Sequence, residues 1–354
     1  MRLVPLALLV LLSISLPAQK QVLMEKFTNV YCGNCPNAAL LIQEIQEVYE
    51  NTIWISHYKD VAFEDNKMEN PESAQLWSDM GVFGNPLGTV DRTVLDNSLI
   101  YTTGYWAGMV AQQSEKQPYV NITFSDLSYD LNTRELEFSV ETIFNAIPNN
   151  VEKYRLNTFM VEDGIWWKQS NYYNDVPDHP LEGQGDIIWA YHHRNVVRAV
   201  LDNAWGSDDV IPDNPEIGVP YKKWYSYLIP ETDHADEMEI VVSVSSFDDS
   251  SLNNRQVLNS KQVNLTDFDL VLSNTSELSI EENIYPNPTT GFLYIKSKES
   301  ADRIIVSSLD GTILKEYTSP KLDMEIDLSL LSSGTYFITV MKKDKTITRK
   351  VVKQ

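Results

Sequence analysis

Apolar positions change their spacing along this chain, and each change marks a different kind of element. Val22-Leu23-Met24 and Phe27 read as a strand that runs into a loop at Cys32. Beyond the loop, Ala38, Leu41, Ile42, Ile45, Val48 and Tyr49 recur at intervals of three and four, which is one face of an amphipathic helix. Thr52 to Tyr58 predicts a second short strand. A further helix is predicted from Asn70, which serves as its N-cap, with Pro71 in the first turn, where a missing N–H does no harm. "GNPLGTVDR", residues 84–92, reads as a loop entering a strand, and Tyr105, Trp106, Met109, Val110 and Gln113 predict a closing helix. Such alternation argues for an α/β layer over residues 19–117.

At Pro118 the period becomes two. Val120, Ile122 and Phe124 alternate with polar residues, as do Leu136, Phe138 and Val140 after a turn at Asn132, which predicts a hairpin. Further strands are predicted in "YRLNTFMVED", "HRNVVRAVL", "YSYLIPE", "MEIVVSVSSF" and "RQVLNSKQVNL", separated by Asp, Asn, Gly and Pro. The expected form over 118–272 is a β-sandwich. A polar linker at 273–283 leads to more short strands over 284–354, and no close internal repeat is present. The fold class is therefore multidomain, α/β followed by all-β.

Charge and the N-terminal pattern restrict what such a chain does. Arg2, an apolar run from Leu3 to Leu16, and Pro17-Ala18-Gln19 form the pattern of a signal peptide, residues 1–18, cut after Ala18. No later stretch approaches the roughly 18 apolar residues of a spanning helix, so the mature protein is expected to be exported without a transmembrane segment. The net charge is −22, yet residues 281–354 carry 11 basic and 10 acidic residues, so the acidity belongs to the body. A surface of that sign repels phosphate backbones and excludes nucleic acid as a partner.

The two cysteines, Cys32 and Cys35, are the most informative chemistry. They cannot complete a zinc site alone, which takes four ligands. Placed between a strand and a helix, the first sulfur lies near unsatisfied N–H groups and the positive end of the helix dipole, and both favour a thiolate. A redox pair and a permanent staple both remain open. Other candidates are plainer. His192 and His193 are adjacent on a strand and point to opposite faces. His179 and His234 lie in acidic loops and are expected to be solvated, as is the Asp-rich "GSDDVIPDNPE". Trp166, Trp167, Tyr172 and Tyr173, with Tyr221, Trp224, Tyr225 and Tyr227, could form a glycan or peptide platform, although a sandwich core and its rim would use the same residues. No metal or cofactor is expected.

The strand, "CGNC", the helix and the loop proline resemble the thioredoxin fold, which implies a cis Pro86 facing the disulfide. Two positions depart from that pattern. Lys26 lies six residues before Cys32, where thioredoxins carry a buried acid, and Tyr31 replaces the usual tryptophan. "EKFTNVYCGNCPNA", "GNPLGTVDR" and "HHRNVVRAVL" together resemble the 28-kDa-type outer-membrane protein family of Bacteroidota, in which a thioredoxin-like domain is joined to a β-rich one. "YPNPTTGFLYI", "SSLDGTIL", "LLSSGTYFITV" and "TITRKVVKQ" are similar to the C-terminal sorting domain of type IX secretion, a small Ig-like β-sandwich, with Pro286, Asn287, Pro288, Gly291, Gly311, Gly334 and Tyr336 as motif residues.

These resemblances imply export through the periplasm to the outer-membrane surface or the medium, with the type IX machinery as a partner. Two functions follow as expectations. One is a binding or structural surface protein with an inert Cys32–Cys35 disulfide and an unidentified ligand. The other is an extracytoplasmic thiol-disulfide oxidoreductase, acting on a thiol protein, with Cys32 on the exposed side as nucleophile, Cys35 as resolving thiol and Pro86 shaping the groove.

Overall fold

A computed structural model describes residues 19–59, 68–271, 283–296, 302–308, 312–318, 323–342 and 345–354. The expected signal peptide, most of the expected linker and Gly311 lie outside the described residues. The chain divides into two compact units, 1–273 and 274–354.

The first unit begins with β1 (Val22–Thr28), α1 (Cys35–Val48), β2 (Thr52–Tyr58), α2 (Pro71–Asp79), β3 (Leu87–Val90) and α3 (Trp106–Ser114). Ala38, Ala39, Ile42 and Ile45 of α1 bury against Val22, Met24 and Trp54, so three residues of the stripe read from sequence lie on its packed face, while Leu41 is only partly buried and Val48 is exposed. Asn70 caps α2 by accepting a hydrogen bond from Ser73 N at 2.8 Å. Ten strands follow: β4 (Val120–Asp130), β5 (Glu135–Phe144), β6 (Lys153–Glu162), β7 (Ile165–Ser170), β8 (Ile187–His193), β9 (Val196–Val200), β10 (Pro220–Leu228), β11 (Met238–Phe247), β12 (Val257–Asn264) and β13 (Asp269–Val271). The hairpin β7–β8 was not signalled by the apolar pattern.

Strands from both sides of residue 118 share one seven-stranded sheet, ordered β12-β11-β6-β9-β2-β1-β3. Its seam is narrow, for β2 and β9 pair in parallel only at Ser56 and Val196. Asn195 strengthens the seam by donating from Nδ2 to the Trp54 carbonyl at 2.9 Å. Period two then sorts the side chains. Met160, Ile240, Val242 and Val244 face Ile122, Phe138 and Val140 of the four-stranded sheet β10-β5-β4-β13. Phe159, Val161 and Val241 face the other way and share a core with Leu23, Ile53 and Ile55. The far edge curls back to the first strand. Gln21 N donates to Asn259 Oδ1 at 3.0 Å, Ser260 Oγ to the Gln21 carbonyl at 2.8 Å, and Val257 N to the Asp91 carbonyl at 2.8 Å. Full burial stabilises by about 1.5–3 kcal/mol for each large aliphatic side chain, so this shared core ties the two segments into one body.

The second unit has β14 (Asn283–Tyr285), β15 (Phe292–Lys296), β16 (Arg303–Ser308), β17 (Ile313–Thr318), β18 (Asp323–Asp327), β19 (Gly334–Lys342) and β20 (Lys345–Lys353). They form the antiparallel sheets β14-β15-β18 and β17-β16-β19-β20 around a core that includes Leu293, Ile304, Val306, Ile326, Ile338 and Val351. The unit is all-β, so the whole chain combines an α/β segment with several β-sheets. Among the described residues no helix is long and apolar enough to cross a membrane.

Candidate functional site

Cys32 ends the loop after β1 and Cys35 begins α1, with Pro36 in the first turn. The loop is tightened by Cys32 N donating to the Asn29 carbonyl at 3.3 Å and Cys35 N to the Cys32 carbonyl at 3.0 Å. The two sulfurs form a disulfide, with Cα atoms 5.3 Å apart. The Asn85–Pro86 peptide is cis. Leu87 pairs with Phe27 in the antiparallel β1–β3 register, so the Pro86 loop and the cysteine loop leave the same end of the sheet.

Exposure departs from the sequence expectation. Cys32 is 6% exposed and Cys35 3%, so the expected exposed nucleophile is covered like its partner. The cover comes from β7 and the residues after it. Ser170 N donates to the Val30 carbonyl at 2.8 Å and Tyr172 N to the Gly33 carbonyl at 3.0 Å. Gln169 Nε2 donates to the Cys32 carbonyl at 2.9 Å, and Asn171 Nδ2 braces the segment on the Leu181 carbonyl at 3.0 Å. The Tyr172 ring lies where a side chain at Gly33 would stand: an added Cβ would come within 2.2 Å of its Cδ1. His179 is not a solvated loop residue, because its Nε2 lies 2.9 Å from Asn37 Oδ1 of α1 and its ring stacks on Tyr173 at 4.2 Å. The loop is thus held from outside by a hairpin some 140 positions downstream.

Beneath the loop, neighbouring positions of β1 carry opposite electrostatic solutions. Glu25 faces α2, where Arg92 grips it with two hydrogen bonds of 2.8 and 2.9 Å and His57 Nε2 lies at 3.3 Å. Burial alone would raise the Glu25 pKa, but the Arg92 charge outweighs it and holds the carboxyl at about 2. Lys26 faces α1. Among the described residues its Nζ has no hydrogen-bond or ion-pair partner, and it sits 5.1 Å from the centre of the Trp54 ring. Burial pushes it down to about 7. His193 is also buried, with Nδ1 2.7 Å from Tyr58 OH, and burial aided by the Lys26 charge lowers it to about 3. His192, on the opposite face of β8 as strand alternation requires, packs tilted against Trp166 with ring centres 4.6 Å apart.

The aromatic residues grouped in the sequence separate in space. Tyr225 stacks on Phe138 at 5.0 Å inside the sandwich core, with Tyr221 and Tyr227 packed against that core. Trp166 and Trp167 belong instead to β7, at one end of a cavity of about 590 Å³. The contacts made by Gln169, Tyr172, His193 and Arg92 escaped sequence reasoning, although Tyr172 and His193 were themselves candidates, since each residue acts on a partner distant along the chain.

In the second unit the motif residues join the first and last strands. Asn287 Nδ2 donates to the Lys350 carbonyl at 2.8 Å, and Asn287 Oδ1 accepts from Val352 N at 2.9 Å. The flanking Tyr285–Pro286 and Asn287–Pro288 peptides are cis. Gly291 O accepts from Leu328 N at 2.6 Å, Gly334 opens β19, and Tyr336 OH donates to the Ser332 carbonyl at 2.7 Å.

Two family models match the chain: outer membrane protein Omp28 over residues 73–267, and the secretion system C-terminal sorting domain over 283–354. No curated protein matches it. Among solved structures, HBP35 of Porphyromonas gingivalis is similar in fold, with a TM-score of 0.56 and 15% identity over 95% of this chain and 99% of that one.

Proposed function

The chain belongs to the outer membrane protein Omp28 family, and we propose that it is a binding or structural protein of the cell exterior in which the Cys32–Cys35 disulfide is a staple. Its sorting domain directs it to the outer-membrane surface or the medium and implies contact with the type IX secretion machinery. Residues 1–18 act as a cleaved signal peptide, 19–117 form a thioredoxin-like segment, 118–272 a β-sandwich, 273–283 a linker and 284–354 an Ig-like sorting domain.

The observation that carries the staple reading is the cover. A catalytic dithiol needs an accessible sulfur, whereas here Gln169, Ser170 and Tyr172 hydrogen-bond to the loop and both cysteines are buried. The strand-loop-helix position of the pair favours the alternative, an oxidoreductase using Cys32, Cys35 and Pro86, which requires the hairpin to lift. Treatment of the native protein with dithiothreitol and an alkylating reagent separates the two. The staple predicts no labelling until denaturation and a reduction potential below about −300 mV. Rapid native labelling of Cys32 alone would establish the oxidoreductase instead.

A further inference from the structure

The register of the β7–β8 hairpin decides which side chains share its outer face. Trp166 pairs with His192 and Ser170 with Ile187, so Trp166, Lys168 and Ser170 of β7 alternate onto the same side as His192 and Ile187 of β8. Where the register shifts between Trp167 and Gln169, Trp189 and Ala190 both oppose Lys168. That bulge reverses the alternation of β8 and brings Trp189 onto the outer face beside Ile187. Trp189 is 74% exposed and Trp166 65%, while Gln169 and Ile188 on the inner face are buried. The hairpin is a two-stranded sheet, so among the described residues no strand pairs with the other edge of β8.

The loop between the two strands, residues 171–186, supplies the charge beside this face. Asp175, Asp178, Glu182 and Asp186 are all exposed. Asp175 accepts a hydrogen bond from Asn174 Nδ2 at 3.1 Å and Glu182 accepts one from Asp178 N at 2.9 Å, but among the described residues none of the four has an ion-pair partner. The loop is braced, with Gly183 N donating to the Asn174 carbonyl at 2.9 Å and Gly185 N to Asn174 Oδ1 at 2.7 Å. Lys168, the one Lys or Arg between Ile165 and His193, lies 5.4 Å from the centre of the Tyr31 ring. The hairpin therefore offers exposed indole rings, a free strand edge and an excess of negative charge. A free edge takes an extended peptide through main-chain hydrogen bonds, indole is the best aromatic ring for a cation, and the rim carboxylates repel an acidic partner. We propose that this face docks an extended basic segment of a partner protein, its backbone added to the edge of β8 and an arginine or lysine side chain laid over Trp189. The site deepens the binding-protein reading and rests on it.

The test is calorimetric titration of the full chain with acetyl-Arg-Val-Arg-Val-Arg amide, alongside acetyl-Glu-Val-Glu-Val-Glu amide and phosphatidylcholine vesicles. Saturable binding of the basic peptide, weakened about fivefold by Trp189→Ala, is the expected result. The pair Glu182→Gln and Asp186→Asn, which keeps the local acceptors and removes two charges, should weaken it as well. Trp224→Ala, at an exposed tryptophan of β10, should leave it unchanged. No binding of the basic peptide at millimolar concentration, or equal binding of the acidic one, would overturn the assignment. So would binding indifferent to Trp189→Ala and to the rim pair, which would reveal a general attraction to the acidic body, and so would binding to the vesicles in place of the peptide. The underlying reading fails separately, through rapid native labelling of Cys32, whatever the peptides do.

Discussion

Lys26 is the residue at which chemistry and stability disagree most sharply. Its ammonium is buried without an ion-pair partner among the described residues, and its pKa falls from 10.5 to about 7. In the unfolded chain the group keeps its ordinary value, so between pH 7 and 10.5 the unfolded state binds the extra proton and stability rises with pH. Below pH 7 the folded protein carries the full desolvation cost, on the order of 5 kcal/mol. Lys26→Met is therefore expected to raise the denaturation midpoint most below pH 7 and to have little effect above pH 10.5, which urea titrations at both ends would measure. Equal gains at both ends would show that Lys26 acts by shape. Its place before the cysteines was legible from spacing alone. The Arg92 grip on Glu25 was not, because the two residues are 67 positions apart and only the β1–β3 pairing brings them together.

At the scale of elements, the helices and the long alternating strands were readable because each has one buried face. The β7–β8 hairpin hid for the opposite reason. Trp166, Trp189 and Ile187 are exposed while Gln169 and His193 are buried, which reverses the pattern that usually announces a strand. Its grip on the cysteine loop yields a prediction. Gly33→Ala forces the Tyr172 ring aside, and Gln169→Ala leaves the Cys32 carbonyl without its side-chain donor. Losing such a buried hydrogen bond costs about 1–3 kcal/mol, so native reduction of the disulfide should speed up about tenfold or more in the double variant. Stopped-flow measurement with dithiothreitol checks this, and an unchanged rate would mean that the hairpin does not guard the sulfurs.

For the whole molecule, the division into 1–273 and 274–354 has a direct consequence. Each unit has its own core, so a chain truncated at Asn274 should keep a folded, disulfide-bonded body and remain in the periplasm, while the full chain reaches the surface or medium. Cell fractionation decides. A truncated chain delivered to the surface would show that the tail is not the address, and an unstable one would show that the boundary is misplaced. The tail was legible because its motifs occur in order, and the structure supplies a reason for two of them: Asn287 in the first fastens the strand made by the last.

The curled sheet of the body also sets a timetable. Gln21 hydrogen-bonds to Asn259 and Ser260, separations of 238 and 239 positions, so the earliest strand finds its last neighbours only after almost the entire body has been synthesised. Contacts of such length slow folding, because a very large loop must close before any of them contributes. The complete arrangement of the body therefore cannot form until residues 259 and 260 have been synthesised.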